Sequence, residues 1–107
     1  MKTLKSKAVF DIKLHTALKD GLNLLSLKLD VRKSDLLLTF INKDLYKNIP
    51  NKNDVKKYNE ILSLNKNLIV TCRFYINSKD LKKYTSFCKN NGYELHEPIQ
   101  FILNKYV

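Results

Sequence analysis

Two stretches of the chain alternate apolar and polar side chains, and each is followed by apolar positions at helical spacing. In residues 8–14, Phe10, Ile12 and Leu14 point one way while Val9, Asp11 and Lys13 point the other. That period of two predicts a short strand with one dry face. Leu18, Leu22, Leu25 and Leu29 then recur at three- and four-residue intervals, which predicts an amphipathic helix over 17–29, with Thr16 as its cap. The polar stretch 30–34 interrupts it. Ser34 is the expected N-cap of a second helix carrying Leu37, Leu38, Ile41 and Leu45.

Residues 46–69 differ in character. A polar segment around Pro50 precedes Asp54, which is suited to cap a short helix over 54–64 with Val55, Tyr58, Ile61 and Leu62. The opening pattern then returns. In residues 70–76, Cys72, Phe74 and Ile76 share one face, and Thr71, Arg73 and Tyr75 share the other. Asn77 or Ser78 is placed to cap a helix with Leu81, Tyr84, Phe87 and Cys88, and the Asn90-Asn91-Gly92 run ends it. A last helix carries Ile99, Ile102, Leu103 and Tyr106, with Pro98 in its first turn, where a missing N–H is tolerated.

The two thirds superpose without gaps at an offset of 62, pairing Phe10 with Cys72, Ile12 with Phe74, Leu22 with Tyr84, Leu37 with Ile99 and Ile41 with Leu103. A lone strand has no ladder partner and two short helices bury little, so one such unit cannot fold alone. Two units together can pair their strands antiparallel and pack four helices on one face. The expected organisation is a basic N-terminal arm over 1–7, a first strand-helix-helix unit over 8–45, a linker with a short helix over 46–69, and a second unit over 70–107, all sharing one core. The fold class that follows is mainly α with a two-stranded antiparallel β-ribbon. A winged helix-turn-helix is the alternative, disfavoured by the lack of a Gly-containing hairpin.

Charge narrows the function. Twenty basic and ten acidic residues leave a formal net charge of +10 on 107 residues, which points to a polyanionic partner. An AT-rich genome would account for Lys outnumbering Arg, but not for the missing carboxylates. No apolar run approaches the roughly 20 residues of a membrane span. The basic start lacks the apolar stretch of a signal peptide, so a cytoplasmic protein with reduced thiols is expected. Cys72 and Cys88 fit neither a zinc ribbon nor a redox pair, and only His15 and His96 stand beside them as ligand types. No metal, cofactor or catalytic constellation is expected, and the chain reads as a non-enzyme.

The wet side of the expected ribbon carries Val9, Asp11, Lys13, Thr71, Arg73 and Tyr75. A two-stranded ribbon fits the major groove of B-DNA. Lys13 and Arg73 can donate to guanine O6 and N7, Asp11 can accept from cytosine N4, and Thr71 can do either or touch a thymine methyl. Here the chain resembles the ribbon-helix-helix superfamily of Arc-, MetJ- and CopG-like repressors. Residues 10–14 look like its reading strand. Leu18, Leu22, Leu25, Val31, Arg32, Lys33, Ser34 and Leu37 look like its first helix, turn and second-helix start. The resemblance covers 8–45 well and 70–107 more loosely. Two copies in one chain resemble the TraY-type relaxosome accessory proteins of conjugative plasmids.

The resemblance implies a single-chain pseudo-dimer, a plasmid or phage regulator acting as a repressor or at a transfer origin, and a DNA phosphate held at the second helix's N-terminus. Lys5, Lys7, Arg32, Lys33 and Ser34 are the candidate phosphate ligands. The aligned Glu94, Leu95 and His96 of the second unit, followed by Glu97 and Pro98, suit a phosphate poorly, so an asymmetric grip is expected. Double-stranded DNA is the expected partner and membrane is not. Self-association along DNA and a relaxosome or other protein partner stay open. The rival reading is a protein-binding module, an antitoxin or small inhibitor, with the linker helix as its docking element.

Overall fold

The computed structural model describes residues 7–107. Strand β1 (Lys7–His15) leads into α1 (Thr16–Leu29) and α2 (Lys33–Phe40), which runs on as a π-helical turn over Ile41–Leu45. Helix α3 (Lys52–Ser63) and a 3-10 turn over Lys66–Leu68 lead to β2 (Ile69–Asn77), α4 (Ser78–Asn91) and α5 (His96–Tyr106). The molecule is mainly helical with one two-stranded antiparallel sheet. β1 and β2 pair along their whole length, from Lys7 opposite Asn77 to His15 opposite Ile69, with Asp11 opposite Arg73 at the middle. Three helices separate the strands in sequence, so no hairpin turn joins them. Among the described residues no helix is long and apolar enough to cross a membrane.

Alternation sorts the ribbon as expected. Phe10, Ile12, Leu14, Cys72, Phe74 and Ile76 are buried on one face. They meet Leu18 and Leu22 of α1, Leu36, Leu37 and Phe40 of α2, Tyr84 and Cys88 of α4, and Ile99, Ile102 and Leu103 of α5 in one cluster. Each such side chain contributes roughly 1.5–3 kcal/mol of transfer free energy when fully buried, so the covered face of the ribbon is the main store of stability. Cys72 and Cys88 are free and buried, and burial pushes both thiols up from their ordinary value.

Strand and helix boundaries recur at the offset of 62 residues: β1 with β2, and α1 with α4. So do the caps. The Asp30 and Val31 amides donate to the carbonyls of Leu27 and Ser26, and the Gly92 and Tyr93 amides donate to those of Lys89 and Cys88. Both are Schellman closures, which place one residue in the left-handed region. Gly92 meets that requirement without strain at φ 72°; Asp30 meets it at φ 55° with a short polar side chain.

Several local expectations are corrected. His15, not Thr16, caps α1, its Nδ1 accepting from the Ala17 amide at 3.1 Å. Asn51, not Asp54, caps α3 by accepting from the Asn53 and Asp54 amides. Arg32 occupies the N-cap position of α2 with no side-chain bond, because the Ser34 hydroxyl is taken by a distant partner. Asn77 caps α4 through the Lys79 amide, and the N-cap position of α5 is Leu95, with His96 already helical. Lys7 belongs to β1; residues 1–6 of the expected basic arm lie outside the described residues. Helix α3 is not a bare linker: Val55 is fully buried, and Asn59 is buried with its amide donating to the Val55 and Glu97 carbonyls.

The far end of the helical layer is closed by Asp44. This buried carboxylate accepts from the Lys105 ammonium at 2.7 Å, from the Tyr106 hydroxyl and from the Asn48 amide, while Tyr106 stacks on Phe40 with ring centroids 4.2 Å apart. The Lys105 bond first, then those from Tyr106 and Asn48, hold the Asp44 carboxyl below its usual range. A carboxylate with a depressed folded pKa adds stability that is present above its unfolded value, near 3.9, and lost as pH falls through the folded one. Asp44→Asn is therefore expected to lower the melting temperature at pH 7. Melting curves taken from pH 6 to pH 2 should show the gap to the parent closing below about pH 4.

Candidate nucleic-acid interface

All six side chains expected on the open face are there. Val9, Asp11 and Lys13 of β1 and Thr71, Arg73 and Tyr75 of β2 are exposed. Antiparallel register sets Val9 opposite Tyr75, Asp11 opposite Arg73 and Lys13 opposite Thr71, a block of three exposed rungs with helices at its margins. The central rung is an ion pair. Arg73 Nε donates to Asp11 Oδ1 at 2.9 Å and Nη2 donates to Oδ2 at 3.1 Å. Both side chains remain well exposed, at 58% and 40%. The Arg73 fork holds the Asp11 carboxyl below its ordinary range, and Asp11, with a further hydrogen bond involving Tyr75, raises the guanidinium's. In so wet a place the pair adds little stability. Its consequence is orientation.

One flank of this face is basic. Lys7 from β1, Arg32 and Lys33 from the start of α2, Ser34, Asp35 and Tyr75 line a concavity of about 250 Å³. The backbone amides of the first helical turn lack intrahelical acceptors, and cations stand beside them. Lys7 and Arg32 are exposed. Lys33 is half-buried, its ammonium 5.4 Å from the centre of the Phe74 ring. Ser34 is buried, and its Oγ accepts from the Tyr75 amide at 3.0 Å. It therefore ties the free edge of β2 to α2, a role its expected cap position did not suggest. Lys5 lies outside the described residues.

The other flank is built differently. Glu97 of α5 accepts from the Glu94 amide at 2.7 Å and from the Lys56 ammonium of α3 at 2.6 Å. Gln100 donates to Asn59 of α3 and accepts from the His15 amide at 2.7 Å, pinning the free edge of β1. The Glu97 carboxylate thus folds back onto the residue before α5, whose start has no side-chain cap bond and is flanked by α3. Between them lies a cleft of about 340 Å³, lined in part by Lys13, Asn59, Ser63, Leu95 and His96. Sequence reasoning missed Asn59, Ser63 and Gln100. The one available signal was the placing of Asn59 on the apolar stripe of its helix, four residues after Val55.

No family model, curated protein or solved structure significantly matches this chain. What the face can do then rests on its own groups: donors at Lys13 and Arg73, acceptors at Asp11, Thr71 and Tyr75, and, among the described residues, a cationic margin at the start of α2. Removing the Ser34 hydroxyl tests how that margin is held. Ser34→Ala is expected to cost about 1 kcal/mol, the net worth of one hydrogen bond. Hydrogen exchange should quicken selectively at the Tyr75 amide.

Proposed function

We propose that this chain is a tandem ribbon-helix-helix protein, a single-chain pseudo-dimer that binds double-stranded DNA by laying its β-ribbon in the major groove. The observation that carries the reading is the three-rung block of Val9, Asp11, Lys13, Thr71, Arg73 and Tyr75 on the uncovered face of a two-stranded ribbon, in a chain of net charge +10. Helix α2 buries Leu36, Leu37 and Phe40 in the core, which favours the ribbon over a helix as the reading element. The winged alternative lacks the strand-turn-strand wing it would need, since β1 and β2 are joined through three helices.

Phosphate contacts position the protein and base contacts specify the site. Lys7 and Arg32, beside the first turn of α2, are suited to the first task, with Lys33 close behind. The opposite flank has Glu94, Leu95 and His96 in the corresponding places, and Glu97 already occupies the helix start. The grip on the backbone is therefore one-sided. The resulting role is that of a plasmid or phage regulator, either repressing a promoter or marking a transfer origin for the relaxosome. A protein-binding module is the second reading, favoured by Leu24 and Leu27 standing 68% and 79% exposed on α1.

Selection of bound sequences from random duplexes, at two salt concentrations, tests the main reading. One motif should be enriched at both; enrichment of none leaves only bulk attraction and favours the protein-binding module. On the selected duplex, Lys7→Ala and Arg32→Ala should each flatten the log–log salt dependence by about 0.9, the slope of one phosphate contact. An unchanged slope in both variants removes the one-sided anchor.

A further inference from the structure

Asp11 and Arg73 are 62 residues apart, the offset that relates β1 to β2, and they face one another at the middle rung. A residue can meet its own repeat equivalent only on the axis that relates the two halves. The ion pair therefore marks an approximate two-fold axis running through the centre of the open face. Asp44 and Tyr106, bonded to one another and again 62 apart, mark the same axis at the far end of the helices.

The geometry of the pair decides what it can offer a ligand. A guanidinium carries five N–H donors in a fixed fork. Asp11 takes two of them, at Nε and Nη2. Tyr75 engages the guanidinium further, and the Nη1/Nη2 edge carries two parallel donors, the arrangement that matches guanine O6 and N7. Both Asp11 oxygens face the arginine, so the carboxylate is engaged where a cytosine amine would need it. Its charge is also cancelled at the point where a phosphate-rich groove would repel it. A guanidinium already held in one orientation loses less freedom when it docks.

We propose that Arg73, held by Asp11, reads a single guanine at the centre of the site, that Asp11 is a positioning residue and not a cytosine reader, and that the site is consequently directional. The inference rests on the DNA-binding reading above. Two-fold related contacts can make the outer base pairs symmetric. The central contact cannot be symmetric, because one half supplies the donor and the other its brace. The one-sided margin of Lys7 and Arg32 gives the same site a distinguishable end.

Selection from random duplexes with the parent, Asp11→Ala, Arg73→Ala and the exchanged double variant Asp11→Arg/Arg73→Asp tests this. The parent should enrich a central G·C pair in one fixed orientation relative to the rest of the motif. Arg73→Ala should lose affinity for the parent's duplex by roughly 5- to 150-fold, the worth of one bidentate base contact. Asp11→Ala should lose preference at the same base pair and at no other. The exchanged variant should move the guanine to the opposite strand. Both positions are exposed, and unchanged melting curves confirm that the variants are folded. Loss at two different base pairs, or an Asp11→Ala motif identical to the parent's, overturns the bracing role while leaving the DNA reading intact. A parent that enriches no motif overturns both.

Discussion

The pairing of β1 with β2 is the constraint on which the rest depends. Among the described residues neither strand has another neighbour, and each lies far from the other in sequence, so the nine-residue ladder forms only when both halves of the chain come together. Its dry face supplies Phe10, Ile12, Leu14, Cys72, Phe74 and Ile76 to the core, and the helices pack because that face exists. Each outer edge is tied at one amide. Tyr75 donates its amide to Ser34 of α2 and His15 donates its amide to Gln100 of α5, so each strand is pinned by the second helix of the opposite half.

Placing both halves in one chain removes a restriction that binds a symmetric pair of identical chains. On a true two-fold axis a residue faces itself, and a charged one would face like charge. Here the two axial positions hold Asp11 against Arg73 and Asp44 against Tyr106, with Lys105 joining the second cluster. The two halves differ at their helix starts. One helix start keeps Arg32 and Lys33 beside it; the other has Glu94, Leu95 and His96 and is packed beside α3. The ribbon face is shared by both halves, while its margins belong to one or the other.

Much of this was legible in the residue pattern. Strand alternation has a period of two and is a property of the nearest neighbours, so the side taken by Phe10 or Arg73 followed as soon as one face had to be buried. The 62-residue offset likewise followed from spacing, and the helix ends at Asp30 and Gly92 reproduce it. Caps were less legible. Thr16, Ser34 and Asp54 are all good capping types, but His15, Arg32 and Asn51 hold those positions. A hydroxyl or carboxylate at a helix start has competing partners nearby in space, and preference by residue type does not reveal which one wins.

The sequence by itself determined the two strand-helix-helix patterns, the dry and wet faces of the ribbon and the excess of positive charge, because each depends on local periodicity or on composition. Only the tertiary structure decided that Asp11 clasps Arg73, that Ser34 serves the edge of β2, and that α3 packs beside the start of α5 through Asn59 and the Lys56–Glu97 pair. Those contacts join residues roughly 40 to 60 positions apart. Their partners are selected by the geometry of the assembled core, which short-range pattern does not encode.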